Sequence, residues 1–160
     1  MVKNMEIRKQ EERIISSLDF ENIMRQIKVR EEEHLNAIDN LQYLKKKILT
    51  AHKVDPREIP PNIVTMGSVV EIRTDNDDFT FKLTLVYPEF EEVRENKISI
   101  FSNLGTAIFL QEENEIINYY TWENEHTLKI IHIHYQPEIV EGSYTKILRN
   151  NLLKLILYFH

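Results

Sequence analysis

The chain has 160 residues, a formal net charge of −6, 42% hydrophobic side chains and no cysteine. This is about one domain with enough apolar material for a core, and it excludes disulfides, thiol catalysis and cysteine-based metal sites. No apolar run approaches the roughly 18–20 residues that span a bilayer, and no charged-then-apolar leader opens the sequence, so a soluble, cytoplasmic protein is expected.

Residues 1–55 contain neither Gly nor Pro. Ile7, Ile14 and Leu18 are spaced as one face of a helix requires. Ala37, Leu41, Leu44, Ile48 and Ala51 step by four and three, a heptad seam. One seam cannot bury itself, so residues 1–54 are expected to form an antiparallel helical hairpin, a short coiled coil. Its joint falls either at Ser16-Ser17-Leu18-Asp19, which offers N-cap side chains, or in the polar stretch 26–30. Glu31, Glu32 and Glu33 then open the second helix and Lys45, Lys46 and Lys47 close it, a polarity that suits the helix dipole.

Asp55-Pro56 and Pro60-Pro61 end the helical part, because proline cannot continue a helix and restricts the residue before it. From Val69 to Tyr87 the side chains alternate with a period of two. Phe79, Phe81, Leu83 and Leu85 lie on one face, with Thr80, Lys82 and Thr84 opposite. Asp75-Asn76-Asp77-Asp78 between the two runs is a turn by chemistry. A charged loop, residues 88–96, leads to a short strand at Ile98-Ser99-Ile100-Phe101. A short helix follows over residues 102–110, with Ser102 as its cap. Residues 115–122 and 127–135 alternate as two further strands. The sheet part, residues 55–140, is expected to fold without residues 1–50. The last segment, Thr145 to His160, repeats Ile147, Leu148, Leu152, Leu155, Ile156 and Phe159 at helical spacing, with Lys146, Arg149 and Lys154 on the polar side. This amphipathic tail is expected to cover the core, to pair with its copy in a homodimer, or to lie on a membrane surface, in that order.

Charge is unevenly placed. Residues 1–55 carry a net +1, residues 56–136 a net −8 and residues 137–160 a net +1. An acidic sheet domain repels phosphate backbones, which argues against direct nucleic-acid binding and favours a basic protein surface as partner.

Four blocks resemble the Gre family of bacterial transcription elongation factors. They are Ile59-Pro60-Pro61-Asn62-Ile63-Val64-Thr65-Met66-Gly67-Ser68, then Thr84-Leu85-Val86-Tyr87-Pro88, then Ile98-Ser99-Ile100 with Leu104-Gly105-Thr106-Ala107, then Tyr135-Gln136-Pro137-Glu138. The chain is most similar to the Rnk-type members, named as regulators of nucleoside diphosphate kinase. The resemblance implies an α+β chain with a helical hairpin, an FKBP-like antiparallel sheet domain with one short helix, and here an added C-terminal amphipathic helix. It implies docking of the sheet domain on RNA polymerase near the secondary channel. In the cleaving members, acidic residues at the hairpin tip help hold the catalytic magnesium of the polymerase; Rnk-type members have a shorter hairpin and lack that activity. Relatives often carry Pro where this chain has Asn103, and Gly where it has Leu110 and Asn114.

The candidate polymerase contact is therefore Ser102, Asn103, Leu104, Gly105, Thr106 and Phe109, with the flanking loop 88–96. The candidate acidic tip is Asp19 with Glu21, or Glu31, Glu32 and Glu33. Paired carboxylates there can hold a divalent ion, but a Glu-rich helix start stabilised by the dipole is the favoured reading. His132 and His134 share a strand face with His126 nearby, and no third ligand stands at a convincing spacing for zinc, so a packed or solvated face is favoured. Tyr87, Phe90, Tyr119, Tyr120 and Trp122 are weighed as a proline-binding cleft of an isomerase, against ordinary packing. With only Gly67, Gly105 and Gly142, no phosphate-binding loop is available. The expectation is a non-enzymatic polymerase-binding regulator with no cofactor and no resident metal. The alternatives are a transcript-cleavage factor and, behind it, a prolyl isomerase.

Overall fold

A computed structural model of the chain describes residues 12–33, 39–74, 79–121 and 123–137. The turn 75–78, Ala37, Trp122 and the amphipathic tail 145–160 lie outside the described residues.

The first described element is a strand, β1 (Ile14–Ser16), which runs parallel to β2 (His52–Val54), with Ile14 opposite His52 and Ser16 opposite Val54. Between them come α1 (Ser17–Glu32) and α2 (Asp39–Leu49). The two-stranded pairing holds the start of α1 beside the end of α2. Ser16 caps α1: its Oγ accepts the Asp19 N–H at 3.1 Å, satisfying a first-turn donor that has no partner within the helix. Three expectations are corrected here. Ile14 lies on a strand, not a helix. Ser16 begins the first helix rather than joining two, and residues 26–30 are inside α1. Glu31 and Glu32 therefore end α1 instead of opening α2.

A Pro-led 3-10 turn, Pro56–Glu58, follows, closed by a reciprocal cap between Asp55 and Glu58. The main sheet comprises β3 (Val69–Thr74), β4 (Thr80–Val86), β5 (Lys97–Ser99), β6 (Ile116–Tyr120) and β7 (Glu125–Tyr135), in the order β5-β4-β3-β7-β6. The β3–β4 hairpin pairs Val70 with Leu83 and Ile72 with Phe81, as the alternation requires. The expectation of a wholly antiparallel sheet is corrected at one edge: β5 runs parallel to β4. The cause is the connection 87–96. It winds through two 3-10 turns, Pro88–Phe90 and Val93–Glu95, and carries the chain back before β5 begins, a crossover that parallel pairing needs.

The short helix α3 (Asn103–Ile108) is capped by Ser102, whose Oγ accepts the Gly105 N–H at 3.0 Å. Thr106 Oγ1 donates to Ile100 O at 2.7 Å, which ties the helix to the end of β5. At Gly105 the backbone comes so close to β5 that an added Cβ would sit 2.0 Å from Ser99 O, so only glycine fits. Gln136 reaches back across the fold, its Nε2 donating to Pro60 O and Ile63 O at 2.8 Å each.

One hydrophobic cluster holds these elements. Ile23 and Ile27 of α1 and Leu41, Leu44 and Ile48 of α2 are buried in it beside Val70, Ile72, Leu83, Leu85, Phe109 and Ile130. The helices thus share a core with the sheet, which speaks against a sheet domain that closes its core without residues 1–50. Burying a Leu or Ile side chain contributes about 1.5–3 kcal/mol, so the five helical side chains are a large fraction of what holds this fold.

Candidate functional site

The helices meet the sheet part chiefly at α3. Asn40 Nδ2 donates to Asn103 Oδ1 at the start of α3. At the other end, Lys47 Nζ donates to the carbonyl oxygens of Thr106 and Ala107, both at 3.1 Å. A cation is well placed there, because the last carbonyls of a helix have no partner within it. Burial pushes the Lys47 ammonium down to about 7, reinforced by the positive charge of Arg13 and opposed by Glu115. The Arg30 guanidinium lies 4.1 Å from the centroid of the Phe101 ring, just before α3. So α2 lies along α3 in the same direction, with the end of α1 against the loop that leads into it.

The candidate contact residues divide accordingly. Ser102, Asn103 and Leu104 are part-exposed, and Asn103 is engaged by Asn40. Gly105, Thr106 and Phe109 are buried, with Phe109 at 0% exposure. These three set the position of α3 against β5 and the core. The loop 88–96 beside them is open to solvent along residues 91–96.

The two candidate acidic sets lie at opposite ends of α1, Asp19 with Glu21 at its start and Glu31, Glu32 and Glu33 at its end, beside the connection to α2. Asp19 is buried at the start of α1, where its Oδ2 accepts the Met66 N–H at 3.3 Å, so it is a structural tie and not a tip. Glu21 lies one half-turn further on, 3.8 Å from Lys53. Glu31, Glu32 and Glu33 are at the other end of the helix. The Lys45 ammonium, 2.7 Å from Glu31, holds that carboxyl below its usual range. Glu32 is 3.9 Å from Lys28, and both are largely exposed.

On the sheet, His132 pairs with Glu113 at 2.7 Å and His134 with Glu71 at 2.6 Å, the two rings meeting edge to face. The hydrogen bond from His134 holds Glu71 below the usual carboxylate range. His126 is elsewhere, stacked on Tyr119. Among the described residues no group of three or more His, Cys, Asp or Glu side chains is placed to hold a metal ion. Of the aromatic residues weighed as a proline cleft, Tyr87 and Phe90 line one cavity, while Tyr119 and Tyr120 stand on β6. No helix among the described residues is long and apolar enough to cross a membrane.

Two features at this site escaped sequence reading. The Arg13–Glu115 pair joins positions 102 apart, and nothing local announces it. Lys47 does carry a sequence signal: it is three residues after Leu44 and four before Ala51, a lysine on the apolar stripe.

The pattern described as "Transcription elongation factor, GreA/GreB, C-term" matches residues 59–135. No curated protein matches the sequence. Among solved structures, the chain is similar to the "Prokaryotic transcription elongation factor GreA/GreB from Nitrosomonas europaea", at 31% identity and a TM-score of 0.67, over 78% of this chain and 100% of that one. Gfh1 of Thermus aquaticus is matched at 19% identity and a TM-score of 0.43, over 78% of this chain and 99% of that one. Gfh1 of Thermus thermophilus is matched at 17% and 0.42, over 78% and 99%. With the whole of the Nitrosomonas protein covered at that identity, this chain belongs to the GreA/GreB family of transcription elongation factors.

Proposed function

We propose that this chain is an RNA polymerase-binding regulator of transcription elongation that does not itself stimulate transcript cleavage, in the manner of the Rnk-type branch. In this reading residues 1–54 are a short helical hairpin, residues 55–140 the docking domain and residues 141–160 a separate terminal segment. It works in the cytoplasm, without a cofactor or a catalytic group of its own. The docking surface is the exposed rim of α3, Ser102, Asn103 and Leu104, with the loop 88–96.

The observation that carries the reading is the size and placement of the helices. At about 1.5 Å per residue, the 16 residues of α1 span roughly 24 Å and the 11 of α2 roughly 17 Å. Both lie on the sheet part through Arg30–Phe101, Asn40–Asn103 and Lys47–Thr106 contacts. An arm that reaches a distant metal needs length, projection and converging carboxylates. Here the arm is short and packed down, and of the carboxylates beside the α1–α2 connection Glu31 is tied to Lys45 and Glu32 lies 3.9 Å from Lys28. Magnesium ligands sit about 2.0–2.1 Å from the ion, so a carboxylate several ångströms short contributes nothing to its shell.

The test is an arrested elongation complex with this protein in excess, alone and beside a cleaving member of the family. Inhibition of the cleaving member without release of 3′ RNA fragments is the expected result. Accelerated release that disappears when Glu31, Glu32 and Glu33 are changed to Ala would overturn the reading.

A further inference from the structure

A cleft of about 630 Å³ opens at one end of the sheet, and none of its lining residues belongs to α3. Its floor is apolar and drawn from separate elements: Met66 before β3, Leu85 on β4, Tyr87 and Phe90 in the crossover, and Pro137 after β7. Leu18 of α1 closes the far wall. The size is that of a pocket that accepts a few side chains.

The rim has one sign. Glu89, Glu91, Glu92 and Glu95 are exposed around the mouth, with Asp19 at the inner wall. Among the described residues Lys97 is the single cationic lining residue, and its ammonium is closed on Glu95. Asp19 and Glu91 accept backbone N–H groups of Met66 and Ser99. Glu89 and Glu92 make no ion pair among the described residues. Carboxylates crowded around a low-dielectric hollow focus a negative potential into it.

We infer that this cleft is a docking site for a polypeptide segment in which Lys or Arg residues flank an apolar or aromatic side chain. The apolar group fills the floor and the basic groups meet Glu89 and Glu92 at the rim. The charge excludes nucleic acid, nucleotides and anionic lipid. It also repels the sheet part of a second copy, which carries a net −8 over residues 56–136. A bare metal ion gains nothing from an apolar floor, and no metal-holding group exists among the described residues. A simple polyamine satisfies the rim and leaves the floor wet. The cleft shares loop 88–96 with the proposed polymerase contact, but the titration uses no polymerase, so its failure and the failure of that reading are distinguishable.

The experiment titrates the full chain with a short capped peptide carrying Lys and Arg around a central Phe-Leu pair, followed by calorimetry and amide chemical shifts. Two control peptides replace the basic residues by Glu, or the Phe-Leu pair by Ser. The basic-apolar peptide should bind best, with shifts concentrated at residues 66–67, 85–92 and 135–136. The double change Glu89→Lys with Glu92→Lys should weaken it by about tenfold while the melting curve stays in place, since both side chains are exposed. Phe90→Ala should weaken it as well. Equal binding of all three peptides, shifts away from the cleft, or full affinity in the charge-reversed variant would overturn the inference. So would binding that appears only after residues 138–160 are removed, because the chain's own end would then be the occupant.

Discussion

Arg13 grips Glu115 with two parallel bonds, Nη1 to Oε2 at 2.8 Å and Nη2 to Oε1 at 2.9 Å, joining the approach to β1 to the approach to β6. The same carboxylate accepts the Glu112 N–H at 2.6 Å. Burial raises the acid's pKa, but the Arg13 bonds, the Glu112 bond and the nearby positive charges outweigh it, and the carboxyl sits below its usual value of 4.5. A depressed folded pKa means the unfolded chain takes up the proton first. The stabilisation is then complete above about 4.5 and is lost as pH falls further. Glu115→Gln should flatten the acid limb of stability against pH without removing it, since Glu31 and Glu71 are depressed too. Urea melts at pH 7, 4.5 and 3 check this; an unchanged slope in the variant would show that the pair is inert.

Lys47 gives the opposite limb. Its pKa is about 7 in the folded chain, against about 10.4 for a free lysine. Between those values the unfolded state binds the extra proton, so stability rises with pH across that window, by at most about 1.4 kcal/mol per unit. Lys47→Met should lose the rise between pH 7 and 9.5. It should also cost about 1–2 kcal/mol at pH 9, because two carbonyls at the end of α3 lose their donor. A variant that keeps the slope would assign it to another group.

The shared core predicts one unfolding transition. Ile27 and Leu44 are buried at 0% exposure in the cluster that contains Val70 and Leu85. Ile27→Ala and Leu44→Ala should each cost about 2–5 kcal/mol. They should lower the midpoint equally by helix-sensitive circular dichroism and by a probe on the sheet. Separated midpoints would mean that the helices and the sheet unfold independently.

Gly105 tests the seat of α3. An Ala side chain would place Cβ 2.0 Å from Ser99 O, and that oxygen already accepts from the Ser102 hydroxyl at 2.7 Å. Backbone, not a flexible side chain, is in the way, so Gly105→Ala should cost more than about 2 kcal/mol. Mild loss, under about 0.5 kcal/mol by urea melts, would show that the helix end shifts freely.

What the sequence made legible follows from how local each signal is. The β3–β4 hairpin, the Ser102 cap and the β6–β7 pair announce themselves through alternation and capping chemistry between neighbouring stretches of chain. The helix joint is not legible locally: Ser16 caps a helix start whichever helix it is, and the Glu31–Glu33 run, which the dipole favours at a start, ends α1 with Glu31 tied to Lys45 of α2. Only the pairing of β1 with β2, across 38 positions, decides which helix Ser16 opens. The parallel β5 is likewise set by a crossover and not by its own three residues. Gly105, Thr106 and Phe109 carry a family signature that reads as a contact surface. In the structure they hold α3 in place, and burial is not visible in a motif. The packing of α2 along α3 had a single sequence trace, the lysine on the apolar stripe.

Leu110 and Asn114 stand where relatives often carry glycine, and both have left-handed backbone, with φ of 64° and 70°. Long-range bonds fix them there: Leu110 N–H donates to Val64 O at 2.9 Å and Asn114 N–H to Ile130 O at 2.8 Å. For a side chain with a Cβ this conformation costs roughly 1–2 kcal/mol, and less for Asn. Asn114 is exposed, so glycine removes strain and gives up no burial; the gain should be about 0.5 kcal/mol after the extra freedom of the unfolded glycine is counted. Asn114→Ala should lose about 1 kcal/mol. Leu110 is 1% exposed within the core cluster. There the same relief is outweighed by a buried side chain whose removal costs about 2–5 kcal/mol, so Leu110→Gly should destabilise by at least about 1 kcal/mol. Two substitutions to the same residue, at the same kind of backbone, should thus act in opposite directions. Urea melts of the three variants decide it: a stabilised Leu110→Gly, or an Asn114→Gly less stable than Asn114→Ala, would refute the strain argument.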